Sequence, residues 1–235
     1  MSAPSFAHQS PPSKGVPSAN TQESSQGARH PHLTHLLYLH GFRSSPQSAK
    51  AQQTLAYFAE HYPAVEVVCP QLPVSPHEAA ALIESIAAPW PQSTRAVMGS
   101  SLGGYYANWA AQQWGCAAVF LNPAPYPARD LARYIGENES WHEPGEVQYF
   151  QPHYIEELQR LQVPPNTPAS AGQLALIAKG DEVLQWPEMA AHYRRAQQIV
   201  VEGSNHALTD VYGEYLPQLA AFLYALGADA GLASH

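Results

Sequence analysis

The sequence carries little charge and very little cysteine. Only 13% of its 235 residues are Asp, Glu, Lys or Arg, and the 11 basic residues are outnumbered by 19 acidic ones. A net charge of −8 leaves no basic face for a phosphate backbone, which argues against a nucleic-acid partner. Cys69 and Cys116 are the only two cysteines and form no C-x-x-C pair. Such a pair gives neither a disulfide framework nor a thiolate zinc site, and it fits a reducing compartment. No run reaches the roughly 18 apolar residues that a membrane-spanning helix needs. Residues 1–33 contain almost no large apolar side chains and are dense in Pro, Ser, Gly and Gln. They cannot bury enough surface to offset the entropy of ordering, so a disordered tail is predicted there, and a second one over 229–235. The first tail also lacks the continuous apolar stretch of a secretory signal. A cytoplasmic location is the resulting expectation. Histidine is more plentiful, with 12 copies. His30, His32 and His35 form the only close cluster, where the tail meets the first strand, and read as solvated side chains. No metal and no cofactor are expected.

What is present is apolar material for a full core, 45% of the chain. After the tail, strand-like and helix-like segments alternate through a single domain, 34–228. Apolar runs predict strands at 36–40, 65–69, 95–99, 117–122, 174–180 and 198–203. Between them, helices are predicted at 46–60 (Ser45 as N-cap, Pro46 in the first position), at 76–87, after Ser101, at 187–195 and near 207–226, with a kink at Pro217. Six apolar strands separated by helices predict a doubly wound, mostly parallel six-stranded sheet with helices on both faces. In the order 2-1-3-4-5-6, the switch point where such sheets bind ligands lies between the first and third strands. The loops there are "HGFRSS" and "GSSLGG".

Gly99-Ser100-Ser101-Leu102-Gly103 fits G-x-S-x-G, which puts Ser101, not Ser100, at the tip of a sharp strand-to-helix turn. A serine hydroxyl needs a base, and the base needs an orienting acid. His206 follows the last strand directly and is the candidate base; His142 and His153 fall in the irregular middle and His192 within a helix. Asp181 follows the fifth strand directly and is the candidate acid, with its neighbour Glu182 as competitor. Asp210 is read as serving the first turn of the last helix. The backbone N–H groups of Leu102 and Phe42 are the candidate oxyanion donors. His40 reads as a structural histidine that pins the Phe42 loop.

These residues resemble a known family. "LLYLHGFRSSPQSAKA", "CPQLP", "GSSLGGYYANW", "LNPA", "KGDEVL" and "EGSNHALTD" together are similar to the YqiA-like esterases, a small branch of the α/β-hydrolase superfamily. The resemblance spans about residues 35–225. It implies a compact α/β-hydrolase fold, a serine esterase acting on small acyl esters or acyl thioesters, and Ser101, Asp181 and His206 as the triad. The tail lies outside the family pattern, and 125–172 matches it only loosely. That region is too long for a simple connection and is predicted to be an inserted cover with helices near 129–135 and 153–161. Its Tyr126, Tyr134, Trp141 and Tyr149 either line an acyl pocket or anchor the cover. Tyr105 and Trp186 are candidate substrate contacts. Two rivals share the sequence: a perhydrolase or acyltransferase with the same triad, and a non-catalytic binding protein that kept the fold.

Overall fold

The computed structural model describes residues 1, 32–139, 145 and 147–226. Residues 2–31 and 229–235 of the expected tails fall outside that set, as do 227–228 at the end of the expected domain and Trp141. From His35 the chain alternates β1 (His35–Leu39), α1 (Ala49–His61), β2 (Glu66–Val68), α2 (Pro76–Ala87), β3 (Arg95–Ser100), α3 (Leu102–Trp114) and β4 (Ala117–Leu121). The middle region holds α4 (Pro127–Asp130), β5 (Gly136–Glu139), β6 (Val147–Phe150) and α5 (Tyr154–Arg160). The alternation resumes with β7 (Gln173–Ala178), α6 (Trp186–His192), β8 (Gln197–Val201) and α7 (Tyr212–Tyr224). Six strands form one parallel sheet in the order β2-β1-β3-β4-β7-β8, the order expected from the sequence.

The central strands are apolar through their interiors, with polar residues such as His35, Arg95, Ser100 and Gln173 at their ends, because both faces are covered. Successive side chains alternate between the two faces. Leu37, Leu39 and Val97 pack with residues of α2, α3 and α6, while Leu36, Tyr38 and Met98 pack with residues of α1 and α7. Each fully buried Leu or Phe contributes roughly 1.5–3 kcal/mol relative to exposure. Leu33 belongs to this second core, and its N–H donates to the Tyr224 carbonyl at 3.1 Å. The folded unit therefore reaches back into what the sequence reads as tail, because one large apolar side chain is enough to anchor it.

Several elements depart from expectation. Helix α1 begins at Ala49, not Pro46. The Ser45 hydroxyl accepts the Gln47 N–H at 3.1 Å and so holds Pro46 in a turn; it does not cap a helix. Helix α7 starts only at Tyr212, because 205–211 are used in turns, with Leu208 at φ 55°. It continues through Pro217. α6 runs from Trp186 to His192, earlier than the 187–195 predicted. Asp210 does not serve a helix start: its carboxylate accepts the Ser204 hydroxyl at 2.5 Å and braces the loop carrying His206. The antiparallel pair β5–β6 has no counterpart in the prediction. Its strands are only four residues each, β5 is polar, and only Phe150 of β6 is buried, so the pattern is too short and too exposed to read.

The middle region is tied to α2 by polar contacts. Glu157 of α5 accepts the Ser75 hydroxyl at 2.8 Å and the His77 N–H at 3.0 Å, while Ser75 itself caps α2 by accepting the Glu78 N–H.

Cys69 is half-buried beyond the end of β2, and Cys116 is buried just before β4. The sequence reading has both thiols buried; Cys69 is less so because β2 is an edge strand. The strands are three spacings apart, about 14 Å at roughly 4.8 Å each, against the 7 Å or so that a disulfide spans. Burial pushes each thiol up to about 12. Native protein is therefore expected to show two free thiols by non-reducing mass spectrometry and to react slowly with iodoacetamide at neutral pH. A Cys69–Cys116 crosslink in the monomer would contradict the strand order.

Candidate active site

The C-terminal end of β3 runs into α3 through Ser101, whose backbone lies at φ 57°, ψ −118°. A non-glycine residue there is strained by about 1–3 kcal/mol and persists only if its surroundings hold it. They do. The Ser101 N–H donates to the Leu121 carbonyl at 3.0 Å, and its own carbonyl accepts from Ala124 at 3.0 Å and from Tyr105 at 3.2 Å. The flanking glycines are required by contact. A methyl on Gly103 would come within 2.0 Å of the Leu39 carbonyl oxygen, and one on Gly99 within 2.0 Å of the Gly103 oxygen. Ser100 ends β3 and is buried.

Ser101 Oγ lies 3.0 Å from His206 Nε2, and His206 Nδ1 lies 2.7 Å from Asp181 Oδ2. The Asp181 side chain is fully buried and that of His206 is 20% exposed. Asp181 Oδ1 also accepts the Val183 and Leu184 N–H groups, each at 2.8 Å. Three donors thus converge on one carboxylate and fix its plane. The competitor Glu182 is exposed and accepts the His206 backbone N–H at 2.9 Å; it does not reach the ring. The structure therefore brings together the three side chains picked out in the sequence, from three different strand ends.

Leu102 is the first residue of α3, so its N–H has no intrahelical acceptor. The Phe42 loop passes beside the serine: a methyl on Gly41 would sit 3.2 Å from Ser101 Cβ. His40 holds this loop. A backbone N–H can only donate, so Nε2 accepts from Leu72 at 3.0 Å and Nδ1 carries the proton given to the Gly41 carbonyl at 2.9 Å.

Two cavities meet at Ser101 and His206. One, of about 310 Å³, is bounded by Leu102, Ala124, Leu131, Tyr134, Val183 and Leu184. The other, of about 420 Å³, lies between the Phe42 loop, the start of α1 and the turn after His206. Tyr134 lines the first cavity, whereas Tyr126 and Tyr149 are surface residues. Tyr105 and Trp186 line neither. Tyr105 is buried and donates its hydroxyl to the Leu158 carbonyl, anchoring α5; its place on the inner face of α3 points it into the core. Trp186 starts α6 with Lys179 Nζ 5.2 Å from its ring, and Val183 and Leu184 take the wall position expected of it.

Asn122 went unnoticed in the sequence, although "LNPA" marks it. It is fully buried at φ 39°. Its Oδ1 accepts the Ala178 N–H at 2.8 Å, and its Nδ2 donates to the Asn205 and His206 carbonyls at 3.2 and 3.1 Å. It joins the strand leading to Asp181 to the loop bearing His206. Asn122→Leu would leave these buried groups unpartnered, at about 1–3 kcal/mol. A fall of several degrees in Tm is expected by calorimetry; an unchanged Tm would show that the loop does not depend on Asn122.

The model of UPF0227, described as an uncharacterised protein family, matches residues 35–224. Among solved structures, Est1E from Butyrivibrio proteoclasticus, with ferulic acid bound, is 14% identical with a TM-score of 0.67, covering 83% of this chain and 90% of its own. The esterase domain of a Rhodothermus marinus protein is 15% identical (TM-score 0.63, covering 85% and 90%). Mouse alpha/beta hydrolase domain-containing protein 10 is 13% identical (TM-score 0.63, covering 80% and 89%). At such identities the likeness is one of fold, and the fold is that of the α/β hydrolases.

Proposed function

The chain belongs to the UPF0227 family, and we propose that it is a serine hydrolase of small acyl esters. The observation that carries this reading is the unbroken chain from Ser101 Oγ through the His206 imidazole to buried Asp181, with the serine on a strained turn. Ser101 Oγ attacks the ester carbonyl as His206 Nε2 takes its proton. The N–H groups of Leu102 and Phe42 receive the oxyanion. Asp181 keeps the Nδ1 proton in place and stabilises the imidazolium. The imidazolium then protonates the departing alcohol, leaving an acyl-enzyme. Water, deprotonated by His206, releases the acid. Leu131, Tyr134 and Leu184 offer the acyl chain an apolar wall. Each step needs only these side chains and water. The experiment that tests it is activity profiling across ester and thioester chain lengths together with fluorophosphonate labelling. Turnover with labelling at Ser101 supports the reading. Folded protein that neither labels nor turns over any ester would overturn it and favour a binding protein.

A further inference from the structure

We propose that the larger cavity beside Ser101 is an anion subsite, which takes a carboxylate or phosphate borne by the substrate and holds it with the Lys50 ammonium, the first turn of α1 and the Tyr38 hydroxyl. The inference rests on the hydrolase reading for the word substrate, but the subsite stands on its own features. In a chain with 19 acidic and 11 basic residues, the lining of this cavity contains Lys50 and no carboxylate. Lys50 Nζ donates to the Ala207 carbonyl at 2.8 Å, which uses one of its three donors. It makes no ion pair among the described residues.

The helix end adds to this. Ser48 and Ala49 also line the cavity, and they begin the 13-residue helix α1. The Ser48 side chain does not cap the helix, and the first turn holds no acidic residue. The first-turn N–H groups and their partial positive charge are therefore unspent. Independently, Tyr38 is 1% exposed, lines the same cavity, and has a hydroxyl with no hydrogen-bond partner among the described residues. Buried polar groups are rarely left so, and an anionic oxygen in the cavity is the acceptor it lacks. Burial lowers the Lys50 ammonium to about 8, partly offset by the charge of Asp181. A bound anion would favour the protonated form further.

Both cavities are bounded by Phe42, Ser101, His206 and Ala207. An ester seated at Ser101 would thus place an apolar portion against Leu131 and Tyr134 and an anionic portion against Lys50. The anion can sit on the alcohol side or on the acyl side of the ester, and two probes separate these. 4-Butyryloxybenzoate carries it on the leaving group, and phenyl hemisuccinate carries it on the acyl group. Phenyl butyrate is the neutral reference.

Titration calorimetry on Ser101→Ala measures binding without turnover. At least one anionic probe is expected to bind more tightly than phenyl butyrate. Adding Lys50→Met should lower that preference at least tenfold, Tyr38→Phe should lower it severalfold, and Lys50→Arg should largely restore it. On protein with Ser101 intact, the kcat/KM ratio of that probe to phenyl butyrate should fall in parallel. If neither anionic probe is preferred, or Lys50→Met weakens all three alike, the subsite is refuted. Preference lost with Lys50 in protein that hydrolyses nothing would keep the subsite and refute the hydrolase reading. Hydrolysis of phenyl butyrate with no Lys50-dependent preference would do the reverse.

Discussion

Ser101→Ala is expected to abolish fluorophosphonate labelling and to lower kcat/KM by about 10⁵–10⁶-fold, the scale seen when a serine-protease nucleophile is removed. Ser100→Ala should keep most of both. The two serines are adjacent, but the backbone separates them. Ser100 is still in the sheet, buried at the end of β3, while Ser101 alone occupies the turn at φ 57° with its Oγ 3.0 Å from His206 Nε2. Alanine at 101 leaves the strained turn and its three backbone hydrogen bonds in place, so the variant should fold. Peptide mapping of the labelled protein reads the result directly. A label on Ser100, or full activity in Ser101→Ala, would refute the elbow assignment.

Asp181→Asn is expected to cost about 10⁴-fold in kcat, as the corresponding change does in serine proteases. The carboxylate accepts three hydrogen bonds, from Val183, Leu184 and His206 Nδ1. An amide offers one oxygen and one NH₂ group. With its oxygen kept on the two backbone N–H groups, its NH₂ faces His206 Nδ1 and forces that nitrogen to accept. The ring proton then moves to Nε2, which can no longer take the proton of Ser101. Glu182→Gln alters a contact to the His206 backbone N–H, not to its ring, and should cost less than about tenfold. Steady-state kinetics on both variants, with melting curves to show that they are folded, decides between the two acids. Near wild-type turnover in Asp181→Asn with collapse in Glu182→Gln would transfer the role.

The sequence by itself determined the sheet and the three side chains at its edge. Short uninterrupted apolar runs such as "LLYL" and "AVM", alternating with helical segments, read as central strands covered on both faces, and residues just past strand ends emerge at the carboxyl edge of a parallel sheet. Ser101, Asp181 and His206 were legible for that reason, as was the α2 helix, whose periodicity and flanking residues agree. The turns were less legible. Whether Ser45 caps a helix or closes a turn at Pro46 depends on where the Phe42 loop has to run beside Ser101, a contact some sixty residues away in sequence. Tyr105 looks like a pocket residue in the sequence; only the packing of α5 over α3, which gives its hydroxyl the Leu158 carbonyl, makes it an anchor. Asn122 and Lys50 escape notice because their partners, Ala178 with His206 and Ala207 respectively, are backbone atoms distant in the chain. A local pattern records which face of an element is apolar. It does not record which buried polar groups will meet, because that is decided when strands and loops far apart in sequence are brought to one edge of the sheet.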